Sequence, residues 1–344
     1  VRALITGIGG FVGRHLLAHL RGCDDEVMGM GRAADHHGLP PDVPLFATDL
    51  LDRTQVESAL REARPDVIYH LAAQSSTGES LGDPWATLAN NLHAQMVLFE
   101  ALLSADQRPS VLVIGSGDEY GRVRPEEVPT DEQVPLRPTT PYAVSKVGQD
   151  MLGHQYWAQH RLPVVRVRPF NHTGPGQDAR FVIPHFASQL AAIEARQCEP
   201  VLHVGNLDVW RDFTDVRDMV RAYRLATSLG EPGEVYNLGS GEAVRIAAIV
   251  EDLISLSRAP VRVEVSPELL RPTDVPRQEA NCARFRRLSN WQPAIPWHDT
   301  LRDTFQYWRQ RIADHELAVP TAQQTTVRSN TSSIPSTKEN ACAS

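Results

Sequence analysis

The sequence predicts an α/β fold, a doubly wound parallel sheet with a smaller C-terminal substrate-binding lobe. Three observations predict it. Short apolar strands alternate with helical stretches through the first half of the chain. The first strand runs directly into a glycine-rich turn and a helix start. The stretch Thr139-Thr140-Pro141-Tyr142-Ala143-Val144-Ser145-Lys146 sets a phenol and an ammonium one helical turn apart, on one face.

The totals fit this architecture. A chain of 344 residues has room for two lobes, and 42% hydrophobic with 22% charged residues describes an ordinary soluble globular protein. A net charge of -8 argues against nucleic acid or an anionic membrane as the main partner. No apolar run approaches the ~20 residues that span a bilayer, and the first residues read as a strand rather than a signal peptide. Cys23, Cys198, Cys282 and Cys342 are scattered, with no CxxC and no disulfide framework, which fits a reducing cytoplasm. No metal is expected.

Ala3-Leu4-Ile5 is the first strand, Thr6-Gly7-Ile8-Gly9-Gly10-Phe11-Val12-Gly13 the turn, and a helix with Leu16, Leu17 and Leu20 follows from Arg14. Such a turn suits a dinucleotide pyrophosphate, because glycines admit it to the backbone and the helix N-terminus offers free N–H groups. Gly7, Gly10 and Gly13 are spaced GxxGxxG, with Phe11 and Val12 as further cofactor contacts. The second strand, Glu26 to Met30, ends at Gly31-Arg32. An acid there would select NAD, whereas Arg32 suits a 2′-phosphate. NADP(H) is therefore expected, with NAD(H) as the alternative. After the strand Leu45-Phe46, Asp49 and Leu50 fall where an adenine edge would lie. Val67–His70 is a strand leading to Leu71-Ala72-Ala73, whose small side chains let a cofactor cross the strand ends. The lone His70 reads as structural.

Leu88, Leu92, Met96, Phe99 and Leu103 recur at helical spacing, a stripe for core or subunit contact. The strand Val111–Ile114 ends at Gly115-Ser116-Gly117-Asp118-Glu119-Tyr120-Gly121. Ligands bind beyond the carboxyl ends of such strands, so Ser116 and Asp118 are placed to meet a substrate. After a Pro-rich loop over residues 122–138, Thr140 caps the next helix and Pro141 takes its first position. Lys146 beside Tyr142 is expected to lower the phenol from its reference near ~10 and make it a proton donor or acceptor near neutral pH.

Val164–Val167 is a further strand, and Arg168-Pro169-Phe170-Asn171-His172-Thr173-Gly174-Pro175-Gly176-Gln177 reads as a binding loop. Trp210-Arg211-Asp212-Phe213 and Arg271-Pro272-Thr273-Asp274 each set a cation near a carboxylate, and either Arg211 or Arg271 could clamp a diphosphate. Val235–Leu238 is one more strand. The expected organisation is a dinucleotide-binding domain over 1–170 with a returning segment near 208–242. A substrate lobe would then occupy 171–207 and 243–315, with a disordered tail over 318–344 rich in Thr, Ser, Gln and Asn.

With Gly7/Gly10/Gly13, Ser116 and Tyr142-xxx-Lys146 in that order, residues 1–311 resemble the extended short-chain dehydrogenase/reductases, which are Rossmann proteins. The resemblance implies that Ser116 and Tyr142 bind the reacting oxygen, and that Lys146 holds the cofactor ribose and depresses the phenol. A narrower likeness lies in Arg168–Gln177, Arg211–Asp218 and Arg271–Pro276, which look like the GDP-4-keto-6-deoxy-D-mannose reductases that make GDP-D-rhamnose. It implies that Asn171, Arg180, Arg211 and Arg271 hold the GDP-sugar, with Asp274 near the nucleotide ribose and His172 near the nicotinamide. The nearest rival, GDP-mannose 4,6-dehydratase, shares Arg-x-Phe-Asn-His but continues Ser-Pro-Arg-Arg, where this chain has Gly174-Pro175-Gly176-Gln177. Its C5 base is a Glu two residues past the Ser or Thr, where this chain has Asp118, a position that is also acidic in the reductases. Epimerases use the same hydride machinery, and a non-catalytic binding relative would show a broken catalytic set. The resemblance further implies a cytoplasmic homodimer paired through the helices that hold Leu88–Leu103 and Tyr142–Trp157.

Overall fold

The computed structural model describes residues 1–270 and 275–318. Arg271 and Asp274 lie outside the described residues. Of the expected tail, only Ala318, which ends the helix Trp297–Ala318, is described.

Seven strands form one parallel sheet: β1 (Arg2–Thr6), β2 (Glu26–Gly31), β3 (Leu45–Ala47), β4 (Val67–His70), β5 (Ser110–Ile114), β6 (Val164–Pro169) and β10 (Val235–Leu238). Their order across the sheet is β10-β6-β5-β4-β1-β2-β3. The chain builds outward from β1 on one side, then crosses to β4 and builds outward on the other. The crevice between β1 and β4 is thus the topological switch point, where ligands bind in such sheets.

Both faces of the sheet are covered, which is why these strands are nearly unbroken apolar runs. The helices Phe11–Arg21 and Val216–Leu229 bury Leu16, Leu20, Met219 and Tyr223 on one face. Helices Arg53–Ala63, Pro84–Ser104 and Pro141–His160 bury Val56, Leu60, Leu98, Leu102 and Tyr156 on the other. Each such side chain contributes roughly 1.5–3 kcal/mol by burial.

The smaller lobe is built on strand β9 (Trp210–Asp215), with β7 (Asn171–Thr173), β8 (Val201–Val204), β11 (Ala243–Arg245), β12 (Arg262–Val265) and β13 (Arg277–Gln278). The first half of β9 lies between β11 and β13, and its second half pairs with β7. Strands β8 and β12 form a separate parallel pair. Helices Val182–Glu194, Ile246–Leu256 and Trp297–Ala318 close this lobe around Phe186, Leu190, Ile249, Leu253, Leu301 and Phe305.

The chain crosses between lobes at different points from those the sequence suggests. Within 208–242, β9 belongs to the small sheet, and only the helix Val216–Leu229 and β10 join the large one. Phe285 and Trp291, inside the segment expected in the smaller lobe, pack into the large sheet's core. The indole N–H of Trp291 donates to the Asp218 carbonyl at 3.2 Å, tying this segment to the helix Val216–Leu229.

Candidate active site

The glycine turn is set by close approaches. Gly7 has φ +70°, and a Cβ there would lie 3.0 Å from Ala72 Cα. A Cβ on Gly13 would lie 2.5 Å from the Gly7 carbonyl oxygen and 2.6 Å from that of Ile8, so the helix meets the turn at a distance only glycine allows. That helix begins at Phe11 rather than Arg14, and no side chain caps it. Its first N–H groups are left for an anion, and the cradle fits a dinucleotide pyrophosphate.

Other expected cofactor residues converge on the same edge. Thr6 Oγ1 accepts from the Ala72 N–H at 3.1 Å and bonds His70 Nδ1 at 2.9 Å, so Leu71-Ala72-Ala73 lies against the turn. His70 is buried at the end of β4, and burial holds its ring neutral, lowered to about 3. The rings of His172 and Phe11 run parallel with centroids 6.5 Å apart, which brings the loop after β6 to the glycine turn. His172 is lowered by burial, its Nδ1 lying 3.1 Å from the Phe170 carbonyl. Arg32 follows the end of β2 on the surface. Beside it the Thr48 N–H donates to Gly31, followed by exposed Asp49 and half-buried Leu50.

At the carboxyl end of β5, Ser116 caps a short 3₁₀ turn, Gly117–Tyr120. Its Oγ accepts from the Asp118 N–H at 3.1 Å, and its own N–H donates to Glu119 Oε1 at 2.7 Å, a box that fixes the Ser116 rotamer. Thr140 and Pro141 start the facing helix as expected, with the Thr140 side chain accepting from the Ala143 N–H at 3.2 Å. This sets Tyr142 at the start of the helix that packs against the turn after Ser116. Lys146 Nζ lies 5.9 Å from the Tyr142 ring centroid and donates to the Ile114 carbonyl and to Gln149 Oε1, both at 2.9 Å.

The expected lowering of the Tyr142 phenol is not what the protein produces. Burial, then the Asp118 charge, push it above its ordinary value, and the nearby Ser116 side chain opposes them. Lys146 spends its protons on Ile114 and Gln149, and burial lowers its own ammonium to about 8 against the opposing pull of the Glu119 charge. Tyr142 is therefore a neutral phenol, suited to give a proton rather than take one.

The substrate side is less uniform. Asp118 Oδ1 accepts from Gln278 Nε2 at 2.8 Å, and Asn171 Nδ2 lies 3.4 Å from Gln278 Oε1. Arg211 on β9 donates from Nη1 to the Val275 carbonyl at 2.6 Å. Arg180 is exposed and paired with Glu79. Sequence reasoning missed Gln278, Gln149, Glu119 and Asn91. Buried Asn91 donates to Ser145 Oγ at 2.9 Å, joining the helix Pro84–Ser104 to the one that carries Tyr142. Gln149, three residues past Lys146 on the same helix, and Glu119, three past Ser116 in capping-box spacing, left a local signal.

A parallel sheet with a glycine turn after β1, a Ser at the end of β5 and a Tyr-xxx-Lys helix opposite it defines an extended short-chain dehydrogenase/reductase. More narrowly, the chain belongs to the family described as GDP-mannose 4,6 dehydratase, whose model matches residues 4–304. It is 35% identical over 315 residues, 91% of this chain and 99% of the relative, to GDP-6-deoxy-D-mannose reductase of Pseudomonas aeruginosa. The structure of RMD from Pseudomonas aeruginosa complexed with NADPH superposes with TM-score 0.81 at 33% identity, covering 90% of this chain and 100% of that one. Thermus thermophilus UDP-glucose 4-epimerase in complex with NAD matches with TM-score 0.80 at 28% identity, covering 90% and 99%.

Proposed function

We propose that this protein reduces the 4-keto group of GDP-4-keto-6-deoxy-D-mannose to GDP-D-rhamnose with NADPH. The observation that supports the reading is the convergence of Ser116, at the carboxyl end of β5, with Tyr142 and Lys146 on the helix that packs against it. The likeness to a GDP-6-deoxy-D-mannose reductase over nearly its whole length points to the substrate.

Gly7, Gly10, Phe11, Val12 and Gly13 hold the cofactor pyrophosphate, and Arg32 the 2′-phosphate. Asp49 and Leu50 flank the adenine, Leu71-Ala72-Ala73 the crossing, and His172 the nicotinamide end. Bound NADPH supplies the hydride. Ser116 and Tyr142 hold the C4 oxygen as negative charge develops on it, and Tyr142 gives it the proton. Lys146 holds the ribose and lends its positive charge. Asn171, Arg180, Arg211, Arg271 and Asp274 bind the GDP-sugar. Arg180 must leave Glu79 to do so, a small cost for an exposed pair.

Nicotinamide absorbance tests the reaction. NADPH should disappear in proportion to added GDP-4-keto-6-deoxymannose, faster than NADH, and should not disappear with GDP-mannose. Conversion of GDP-mannose to the keto-sugar without net cofactor loss would make the protein a dehydratase.

The Lys146 ammonium sets a pH limit. Its folded value near 8 means that it is charged below pH 8 and loses its proton as pH rises through that value. The phenol stays protonated throughout this range, so kcat/KM for NADPH should fall above about pH 8 on the lysine alone. Lys146→Arg should move that limb to higher pH, whatever its effect on the absolute rate.

The protein pairs with a second copy through the helices Pro84–Ser104 and Pro141–His160, whose outer faces expose Trp85, Met96, Val144 and Met151. Light scattering should give twice the 38.1 kDa chain mass, and Met96→Asp with Met151→Asp should return the single-chain value.

A further inference from the structure

Asp118 stands two residues past Ser116 in the same 3₁₀ turn, and its N–H donates to Ser116 Oγ at 3.1 Å, which sets it beside the hydroxyl that would hold the reacting oxygen. Protons on the carbons beside a carbonyl are acidic. A keto-sugar held by Ser116 and Tyr142, with a free carboxylate alongside, meets every requirement for enolisation. The carboxylate would take the proton, the C–H pair would move into the C–C bond, and C4=O would become an enolate oxygen held by the two hydroxyls. Return of a solvent proton would restore the ketone. Nothing is oxidised or reduced, yet the stereocentre beside C4 is put at risk before hydride arrives.

One side chain of the other lobe restrains that carboxylate. Gln278, on β13 opposite Arg211, is 8% exposed and donates from Nε2 to Asp118 Oδ1 at 2.8 Å. Its amide can be oriented only one way. The carboxylate accepts, so it must face the NH₂ group, and Oε1 is left toward the Asn171 Nδ2 donor at 3.4 Å. The chain Asn171–Gln278–Asp118 thus occupies one carboxylate oxygen and turns it toward β13. We propose that Gln278 is a specificity-determining residue, which holds Asp118 away from the C–H bonds flanking C4 and so confines the site to carbonyl reduction. This rests on the reductase reading above.

The experiment follows deuterium entering the carbons beside C4 of GDP-4-keto-6-deoxymannose in D₂O. NADP⁺ replaces NADPH, so that no hydride competes. The wild-type protein should exchange no faster than the protein-free control. Gln278→Met, which keeps the shape and removes the donor, should exchange roughly 10²-fold faster, the low end for a positioned general base. Gln278→Leu gives a second, differently shaped removal. Adding Asp118→Asn to either variant should return exchange to the control. The proposal is overturned if the wild type exchanges at its turnover rate, if neither folded variant exceeds it, or if the double variants keep their exchange. A wild type that fails to consume NADPH with the keto-sugar would instead sink the parent reading, which this assay leaves distinguishable.

Discussion

Tyr142→Phe is expected to lower kcat by about 10²- to 10⁴-fold, the range for loss of a positioned general acid. The ring survives the change, and only the hydroxyl is lost. That hydroxyl does two jobs in the proposed reaction: it holds the C4 oxygen as charge develops, and it delivers the proton. Ser116 would remain to stabilise the oxygen, fixed by its bond to Glu119, so some activity should persist. NADPH affinity should change little, because Lys146 is held by Ile114 and Gln149 rather than by the phenol. Stopped-flow hydride transfer with a fluorescence titration of NADPH checks both halves. Near-normal transfer would remove Tyr142 from the role of proton donor.

The second large effect is on stability. Asp150 lies on the helix that carries Tyr142 and Lys146, 1% exposed, and receives Arg166 Nη1 at 2.6 Å and Arg168 Nε at 2.8 Å from β6. Glu119 completes the cluster, its Oε2 3.1 Å from Arg168 Nε. Burial and then the Asp150 charge raise the Glu119 carboxyl above its usual range, so Asp150 is the principal counter-charge of the cluster. Asp150→Ala would therefore leave two buried guanidiniums without the carboxylate they share. Removing one partner of a buried ion pair costs about 3–5 kcal/mol. The loss should appear as a lower urea midpoint, with Asp150→Asn intermediate because it keeps one acceptor. A loss below about 1 kcal/mol would mean that the cluster behaves like a surface pair.

How much of this was legible follows from where each residue sits. The central strands of the large sheet are readable as mostly apolar runs because both faces are covered there, and β4 and β10 match the read ranges end to end. The strands of the smaller lobe are not readable. β13 has two residues, too few for a pattern, and β12 alternates Val263 and Val265 with charged residues yet is exposed at all four positions. The same contrast holds in the site. The glycine turn, Ser116 and Tyr142-xxx-Lys146 are each local, set by one turn or one helix. Gln278 meets Asp118 across 160 residues of chain, which no spacing rule detects. The direction of the Tyr142 shift was misread for a related reason. Neighbours on a helix are visible in sequence, whereas the burial of the phenol and the carbonyl that draws Lys146 away are not.

The most direct test of the central claim follows the hydride itself. NADPH carrying deuterium at both positions of the nicotinamide C4 is incubated with GDP-4-keto-6-deoxymannose, and the sugar is read by NMR. One deuterium at sugar C4 for each NADPH consumed is the predicted result. Keto-sugar recovered without deuterium and with no NADPH consumed, or a sugar changed at a position other than C4, would contradict it.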